Sequence, residues 1–130
     1  MIEQHVPTLE TCRKLKEAGF SQETNHKFWK SNYSGEYVGP YTDDERTQRE
    51  SWPEYDAPGI NGLYDPIAAP LLTEILEHLP KTKGSGRLRV ERYRECWEAG
   101  YPHAKVWCLH EHNAAEAAAL LFLALKESGS

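Results

Sequence analysis

The chain contains a run of twelve residues, Ala114 to Leu125, in which only Glu116 is polar. Asn113 and Glu116 have the spacing of a capping box, so the pattern predicts a helix that runs to Lys126 and is ended by Gly129. A helix that is apolar on every side has to be covered over most of its surface. We therefore expect this helix to be either the central element of the fold or a contact between two copies of the chain.

Length and charge narrow the class of protein. The 130 residues fit one domain over residues 1–130, and 20 Asp and Glu against 15 Lys and Arg give a formal net charge of −5. An acidic total argues against a protein that binds duplex nucleic acid, because such proteins normally carry a basic excess. The apolar run is shorter than the about 20 residues that span a bilayer, so we expect no membrane partner.

The cysteines predict the compartment. Cys12, Cys96 and Cys108 are an odd number at wide spacing, which is not the pattern of a disulfide framework. Reduced thiols are typical of the cytosol. The first residues, Met1 to His5, contain neither the basic nor the apolar region of a secretory signal. These observations predict a cytoplasmic protein.

Two further helices are predicted from caps and apolar spacing. Thr8 begins a helix that runs to about Ala18, and the Gly19-Phe20 pair that follows has the form of a Schellman cap in which Phe20 contacts Leu15. A second helix is predicted from Pro70, placed at its first position, to Leu79, with a stripe of leucine and isoleucine along one side.

Strands are predicted where aromatic and β-branched residues concentrate. Two short strands joined around Ser31-Asn32 are expected between His26 and Val38, and two more at Arg87 to Trp97 and His103 to Leu109, joined by a hairpin at Ala99 to Pro102. The predicted fold class is α+β, with an antiparallel sheet of about four strands packed with three helices and the C-terminal helix central.

A long insert, Gly39 to Pro66, separates the first strands from the second helix. Within it Thr42 and Glu45 have capping-box spacing, which predicts one or two helical turns. The window from Phe28 to Tyr64 holds eight aromatic residues: Phe28, Trp29, Tyr33, Tyr37, Tyr41, Trp52, Tyr55 and Tyr64. Disordered linkers lack such residues, so we interpret the insert as ordered. Tyr41, Trp52 and Tyr55 are predicted to contact a partner, the alternative being that these rings pack as a second small core.

Parts of the sequence resemble a group of small uncharacterised proteins carried by bacteriophages and prophages. The similar stretches are the opening Pro7-Thr8-Leu9-Glu10 with Leu15 to Gln22, Ile67 to Pro70 with the leucine-rich helix after it, and Ala115 to Leu121 continuing to Lys126-Glu127. The long insert departs from the group's pattern. The resemblance implies a phage-type origin, a bacterial host cytoplasm and action by binding a host protein, and it brings no catalytic residue with it.

Basic residues concentrate just before and within the third predicted strand. Six of them, against the single acid Glu91, lie between Lys81 and Arg94. Alternation with Leu88 and Val90 places Arg87, Arg89, Glu91 and Tyr93 on one strand face, which predicts a cationic face that ends in an aromatic ring. Arginine binds phosphate and carboxylate groups through paired hydrogen bonds, so these residues are candidates for a small anionic, nucleotide-like ligand. The alternative is that they are ordinary solubilising charges.

The motif Cys108-Leu109-His110-Glu111-His112 is the candidate metal site. In a strand, Cys108, His110 and His112 lie on one side, and Cys96 or His103 from the neighbouring strand is a candidate fourth zinc ligand. The alternative is that Cys108 is a small buried apolar residue. A metal-dependent hydrolase built on this motif is the alternative function.

The preferred function is a non-catalytic binding protein of phage type, which inhibits or sequesters a host factor or a small anionic ligand. The chain has neither a phosphate-cradling loop nor a Gly-x-Ser-x-Gly elbow, so no catalytic residue is assigned and no cofactor is predicted, apart from the zinc alternative. Self-association as a homodimer, through the apolar helix or a free sheet edge, is also expected.

Overall fold

The computed structural model describes residues 5–31, 35–50, 63–83, 86–102, 106–110 and 113–127, with the backbone alone for residues 47–50 and Tyr64. The helices are α1 (Leu9–Glu17), α2 (Asp43–Glu50), α3 (Leu72–Leu76) and α4 (Ala114–Glu127). The strands are β1 (Lys27–Ser31), β2 (Tyr37–Tyr41), β3 (Leu63–Ala68), β4 (Thr82–Lys83), β5 (Gly86–Arg87), β6 (Arg89–Tyr93), β7 (Cys96–Tyr101) and β8 (Val106–His110).

The α+β class is confirmed, and the strands divide among three antiparallel sheets. The strand orders within the described residues are β2–β1–β3, β4–β5 and β6–β7–β8. The sequence predicted about four strands in one sheet with three helices, whereas the described part of the chain has eight strands and four helices. The difference comes mainly from the insert, which supplies α2 and most of β3. It also comes from the predicted strand Arg87 to Trp97, which the structure divides among β5, β6 and the start of β7.

Helix α4 is the central element, as predicted. Its buried apolar side chains pack on β7 and β8, and the helix also contacts α1 and α3. Leu121, Phe122 and Leu125 are each at most 8% exposed, and full burial of such side chains contributes roughly 1.5–3 kcal/mol apiece. No helix within the described ranges is long and apolar enough to cross a membrane.

Helix α1 has the predicted caps at both ends. Thr8 Oγ1 accepts a hydrogen bond from Thr11 N at 3.3 Å. At the other end Gly19 adopts a φ of 87°, and Phe20 N donates to Leu15 O at 2.9 Å, which is the six-residue bond of a Schellman motif. Phe20 and Leu15 are buried in the same apolar cluster as α4, so this cap fixes how the chain leaves α1.

Helices α1 and α4 meet at their N-terminal ends around one buried carboxylate. Glu116, 4% exposed, accepts hydrogen bonds from Thr8 N at 2.8 Å and from Thr11 Oγ1 at 2.5 Å. Asn113 Oδ1 accepts from Glu116 N at 3.1 Å, and Asn113 Nδ2 donates to Val6 O at 2.6 Å. A negative charge is favoured at a helix N-terminus, and here one carboxylate serves two helices.

The first sheet forms from the predicted hairpin and from a strand that the sequence analysis missed. Strand β3 contains Pro66, which is tolerated because β3 is an edge strand that pairs only with β1 within the described residues. The register shifts between Phe28 and Lys30, opposite this part of β3, where Asp65 has a φ of 51°. An irregularity of this kind accommodates a proline that cannot donate to the ladder.

Several predicted boundaries are wrong. The predicted strand Arg87 to Trp97 is broken by a two-residue turn at Arg94-Glu95, so the expected hairpin at Ala99 to Pro102 falls mainly inside β7. Pro70 precedes the N-cap, Leu71, instead of occupying the first helical position, and α3 ends at Leu76.

The Thr42–Glu45 capping box is confirmed by reciprocal hydrogen bonds of 3.0 and 3.2 Å at the start of α2.

Candidate functional site

The sheet β6–β7–β8 has one covered and one uncovered face. Val90, Ala99 and Cys108 pair across the three strands and belong to the apolar cluster around α4. Because side chains alternate along a strand, the intervening residues lie on the opposite side, which we call the outer face. The outer face comprises Arg89, Glu91, Tyr93, Cys96, Glu98, Gly100, Trp107 and Leu109.

Large apolar side chains are concentrated on the outer face. Tyr93 is 60% exposed, Leu109 60% and Trp107 39%, and these are the exposed large hydrophobic residues of the described chain. The Trp107 ring lies over Gly100, where an added Cβ would be 2.8 Å from the ring and 2.0 Å from Val106 O. Gly100 is therefore required for close strand packing, and its predicted turn role is wrong.

The structure separates the predicted anion-binding residues. Arg89 forms an ion pair with Glu91, its neighbour on the outer face. Tyr93 stacks with the guanidinium of Arg94 at 5.4 Å and lies four residues along the strand from Arg89, about 13 Å at strand spacing. Arg87 belongs to the separate β4–β5 ladder, where it pairs with Thr82. These residues therefore do not form one anion site together.

Arg87 instead lines a surface depression of about 540 Å³. The described residues that line it are Leu76, Lys81, Thr82, Arg87 and Leu88. Leu88 N donates to Lys81 O at 2.8 Å, which holds the two sides of the depression together, and Leu76 and Leu88 pack against the main apolar cluster. The depression thus has an apolar part and two cations, and none of the described lining residues is acidic.

The aromatic insert is described only at its beginning. Tyr41 is half-buried in β2 opposite Lys27, in a different sheet from Arg89. Trp29 in β1 is 6% exposed and is covered by the guanidinium of Arg46 at 4.6 Å, so part of the aromatic set packs inward. The predicted contact residues Trp52 and Tyr55 lie outside the described residues.

The candidate metal residues are only partly described. Cys108 and His110 lie on the same side of β8, as predicted, but they face α4, and burial raises the pKa of the Cys108 thiol. The register places Cys96 on the outer face, so it cannot be the fourth ligand beside Cys108. Within the described ranges no group of three His, Cys, Asp or Glu side chains is arranged to hold a metal, and His112 and His103 lie outside those ranges.

Sequence reasoning missed Trp107 and Leu109 as surface residues. Strand β8 reads Val106-Trp107-Cys108-Leu109, with no polar residue in alternate positions. Consecutive apolar residues of this kind are typical of a strand that is covered on both faces. The uninterrupted apolar run in β8 therefore predicts that another surface covers Trp107 and Leu109 on the outer face.

Comparison with protein-family models, with curated protein sequences and with solved structures gave no match. The resemblance to phage proteins therefore stays a prediction, and functional inference depends on the geometry of the chain itself.

Proposed function

We propose that this chain is a non-catalytic binding protein that holds a small anionic ligand in the depression beside Arg87. The observation that carries the proposal is the pairing of Lys81 and Arg87 with an apolar wall formed by Leu76 and Leu88. The volume of this depression, about 540 Å³, lies within the range of known small-ligand sites. The protein would act by occupancy, removing its ligand from solution.

Charge supports an anion in this position. Within the described chain neither Lys81 nor Arg87 forms an ion pair, whereas Arg89 is neutralised by Glu91. Arginine matches the paired oxygens of a carboxylate or phosphate, and lysine adds a second positive charge. The ligand class is therefore a carboxylate or phosphate attached to an apolar body that covers the two leucines.

Another depression, of about 440 Å³, is less suited to an anion. It is lined by Leu9, Arg13, Lys30, Gly35, Glu36 and Tyr37. Glu36 adds a negative charge, and the Arg13 guanidinium already stacks on Tyr37 at 5.0 Å. The depression beside Arg87 is the better candidate because its cations are not balanced by an acid.

Isothermal titration of the full chain with octanoate, AMP and inorganic phosphate tests the proposal. We expect octanoate or AMP to bind more tightly than phosphate, because only these probes cover Leu76 and Leu88. Arg87→Gln should weaken binding at least tenfold, and 0.5 M salt should weaken it further by screening. Lys14→Gln removes an exposed cation from α1 and is the matched control, with binding expected to stay unchanged.

Absence of binding by all three probes at millimolar concentration would contradict the proposal, as would equal affinities for Arg87→Gln and the unmodified chain. The predicted host-protein target would then be the stronger hypothesis. It would require capture of one protein that depends on Tyr93 or on the insert residues Trp52 and Tyr55.

A further inference from the structure

The outer face of the sheet β6–β7–β8 has the composition of a covered surface. In strand β8, Val106 and Cys108 pack toward α4, while Trp107 and Leu109 lie on the outer face and remain exposed. Tyr93 is exposed on the same face, but it lies on the opposite edge strand, β6, where it pairs with Cys96. Tryptophan, tyrosine and arginine are the residues that dominate binding energy in protein contacts.

The strand register arranges the outer face in two rows. One row crosses the three strands as Arg89, Gly100 and Trp107. The adjacent row crosses them as Glu91, Glu98 and Leu109. The rows therefore match position by position: a cation beside an anion, a residue without a side chain beside a long one, and a ring beside an aliphatic side chain.

We propose that a second copy of this chain covers the outer face, related to the first by a two-fold axis that runs across the strands between the two rows. The axis lies in the plane between the two stacked sheets. It places each row of one copy over the other row of the second copy. Such an isologous contact requires a self-complementary surface, which these rows provide.

Each position then meets a suitable counterpart. Arg89 lies over Glu91 of the second copy, and Trp107 lies over Leu109. Glu98 lies over Gly100, which has no side chain of its own, and meets the edge of the Trp107 ring that packs across this position. Within the described chain the Glu98 carboxylate has no hydrogen bond or ion pair, and it lies directly opposite the like-charged Glu91. Arg89 of the second copy would relieve this like-charge contact.

The alternative two-fold arrangement fits poorly. An axis parallel to the strands would superpose β7 on itself and place Glu98 against Glu98 of the second copy. Two carboxylates that face each other directly across an interface repel each other strongly once water is excluded. Charge complementarity therefore selects the axis that runs across the strands.

The size of the face predicts a weak dimer. Three strands of about five residues span roughly 10 by 17 Å between strand axes and strand ends. Two such faces bury on the order of 500 Å² in total, which is below the usual size of stable specific interfaces. We expect a dimer whose population depends on protein concentration. This proposal is independent of the ligand site beside Arg87.

Sedimentation velocity of the full chain, from about 1 µM to about 500 µM at low salt, measures the association. We expect a monomer–dimer equilibrium for the unmodified protein. Arg89→Glu should raise the dimer dissociation constant at least tenfold, because positions 89 and 91 then carry four carboxylates across the interface. Glu91→Arg should do the same with four cations. Lys14→Glu, an equally large charge change on α1, is the control and should leave the constant unchanged.

An equimolar mixture of the Arg89→Glu and Glu91→Arg chains gives the decisive measurement. In the proposed register the two carboxylates of one chain lie over the two cations of the other. The mixture should therefore associate at least tenfold more tightly than either variant alone. Circular dichroism of each variant confirms that the chains remain folded.

Three outcomes would overturn the proposal. The unmodified chain stays monomeric at about 500 µM, both charge variants dimerise as well as the unmodified chain, or the mixture associates no better than its components. In the second case the dimer uses another surface, such as the free edge of β8.

Discussion

At the scale of single residues, Cys12 shows how burial sets chemistry. Its side chain is fully buried, and its Sγ donates to Pro7 O at 3.6 Å. Burial, and secondarily the charge of Glu116, raises the pKa of the Cys12 thiol to about 12. The thiolate is the reactive form of cysteine, so this residue is a structural side chain and not a nucleophile.

Cys12 predicts a pH dependence of stability. The thiol loses its proton near pH 8.5 in the unfolded chain but only near pH 12 in the folded chain, so its contribution is complete below about pH 8.5 and is lost as the pH rises toward 12. In urea unfolding between pH 8 and pH 10.5, the stability advantage over Cys12→Ala should fall by roughly 1.4 kcal/mol per pH unit above pH 8.5. If the free energies of unfolding of the two proteins change with pH in parallel, the Cys12 thiol does not cause the pH dependence of stability.

Two glycines show which local signals the sequence makes readable. Gly19 was assigned correctly as a helix cap, because a left-handed residue after a helix is a local requirement and Phe20 follows at the right spacing. Gly100 was assigned wrongly as a turn residue. It is needed because Trp107 and the backbone of Val106 approach it from the next strand, and this approach depends on a strand pairing that local sequence does not encode.

At the scale of elements, the β6–β7 hairpin was missed because its turn lacks the usual residues. Tyr93 pairs with Cys96, which leaves Arg94 and Glu95 as the two loop residues. Arg94 has a φ of 58°, a conformation that two-residue turns normally assign to glycine or asparagine. The sequence therefore reads as one continuous strand, although the backbone reverses there.

This strained turn predicts that a substitution increases stability. Arg94→Gly should raise the free energy of unfolding by up to about 1 kcal/mol, because glycine adopts a positive φ without steric cost. Glu95→Gly, in the same loop but without a positive φ, is the matched control and should not stabilise the protein. Chemical denaturation of the three proteins at equal concentration measures both effects, and a loss of stability in Arg94→Gly would contradict the assigned turn.

At the scale of the whole molecule, the class and the central helix were predictable because hydrophobic periodicity and capping are local properties. The candidate sites were less predictable. Arg87, Arg89 and Tyr93 share a sequence pattern, but the break between β5 and β6 assigns Arg87 to a different ladder. A ligand site depends on which elements the fold brings together. In the depression beside Arg87, Leu76 of α3 and Leu88 line the same wall although they are distant in the sequence pattern.

Within the described residues, the surroundings of the candidate zinc ligands Cys108 and His110 disfavour a metal site. Cys108 and His110 face the apolar cluster, and a raised thiol pKa opposes the deprotonated form that zinc binds. We expect metal analysis of the purified chain to give well below one equivalent of zinc, and chelation to leave the melting temperature unchanged. One equivalent of zinc that disappears in the double variant His110→Ala/His112→Ala would instead support the hydrolase hypothesis.

The carboxylate shared by α1 and α4 has a consequence for biosynthesis. Thr8 and Thr11 emerge from the ribosome well before Glu116, which accepts their hydrogen bonds and is separated from them by 108 and 105 positions along the chain. A nascent chain that has not yet reached this residue therefore lacks an acceptor on which the start of α1 depends. Docking of the first helix onto α4 has to await synthesis of α4, so this contact forms only after all the elements between the two helices have been translated.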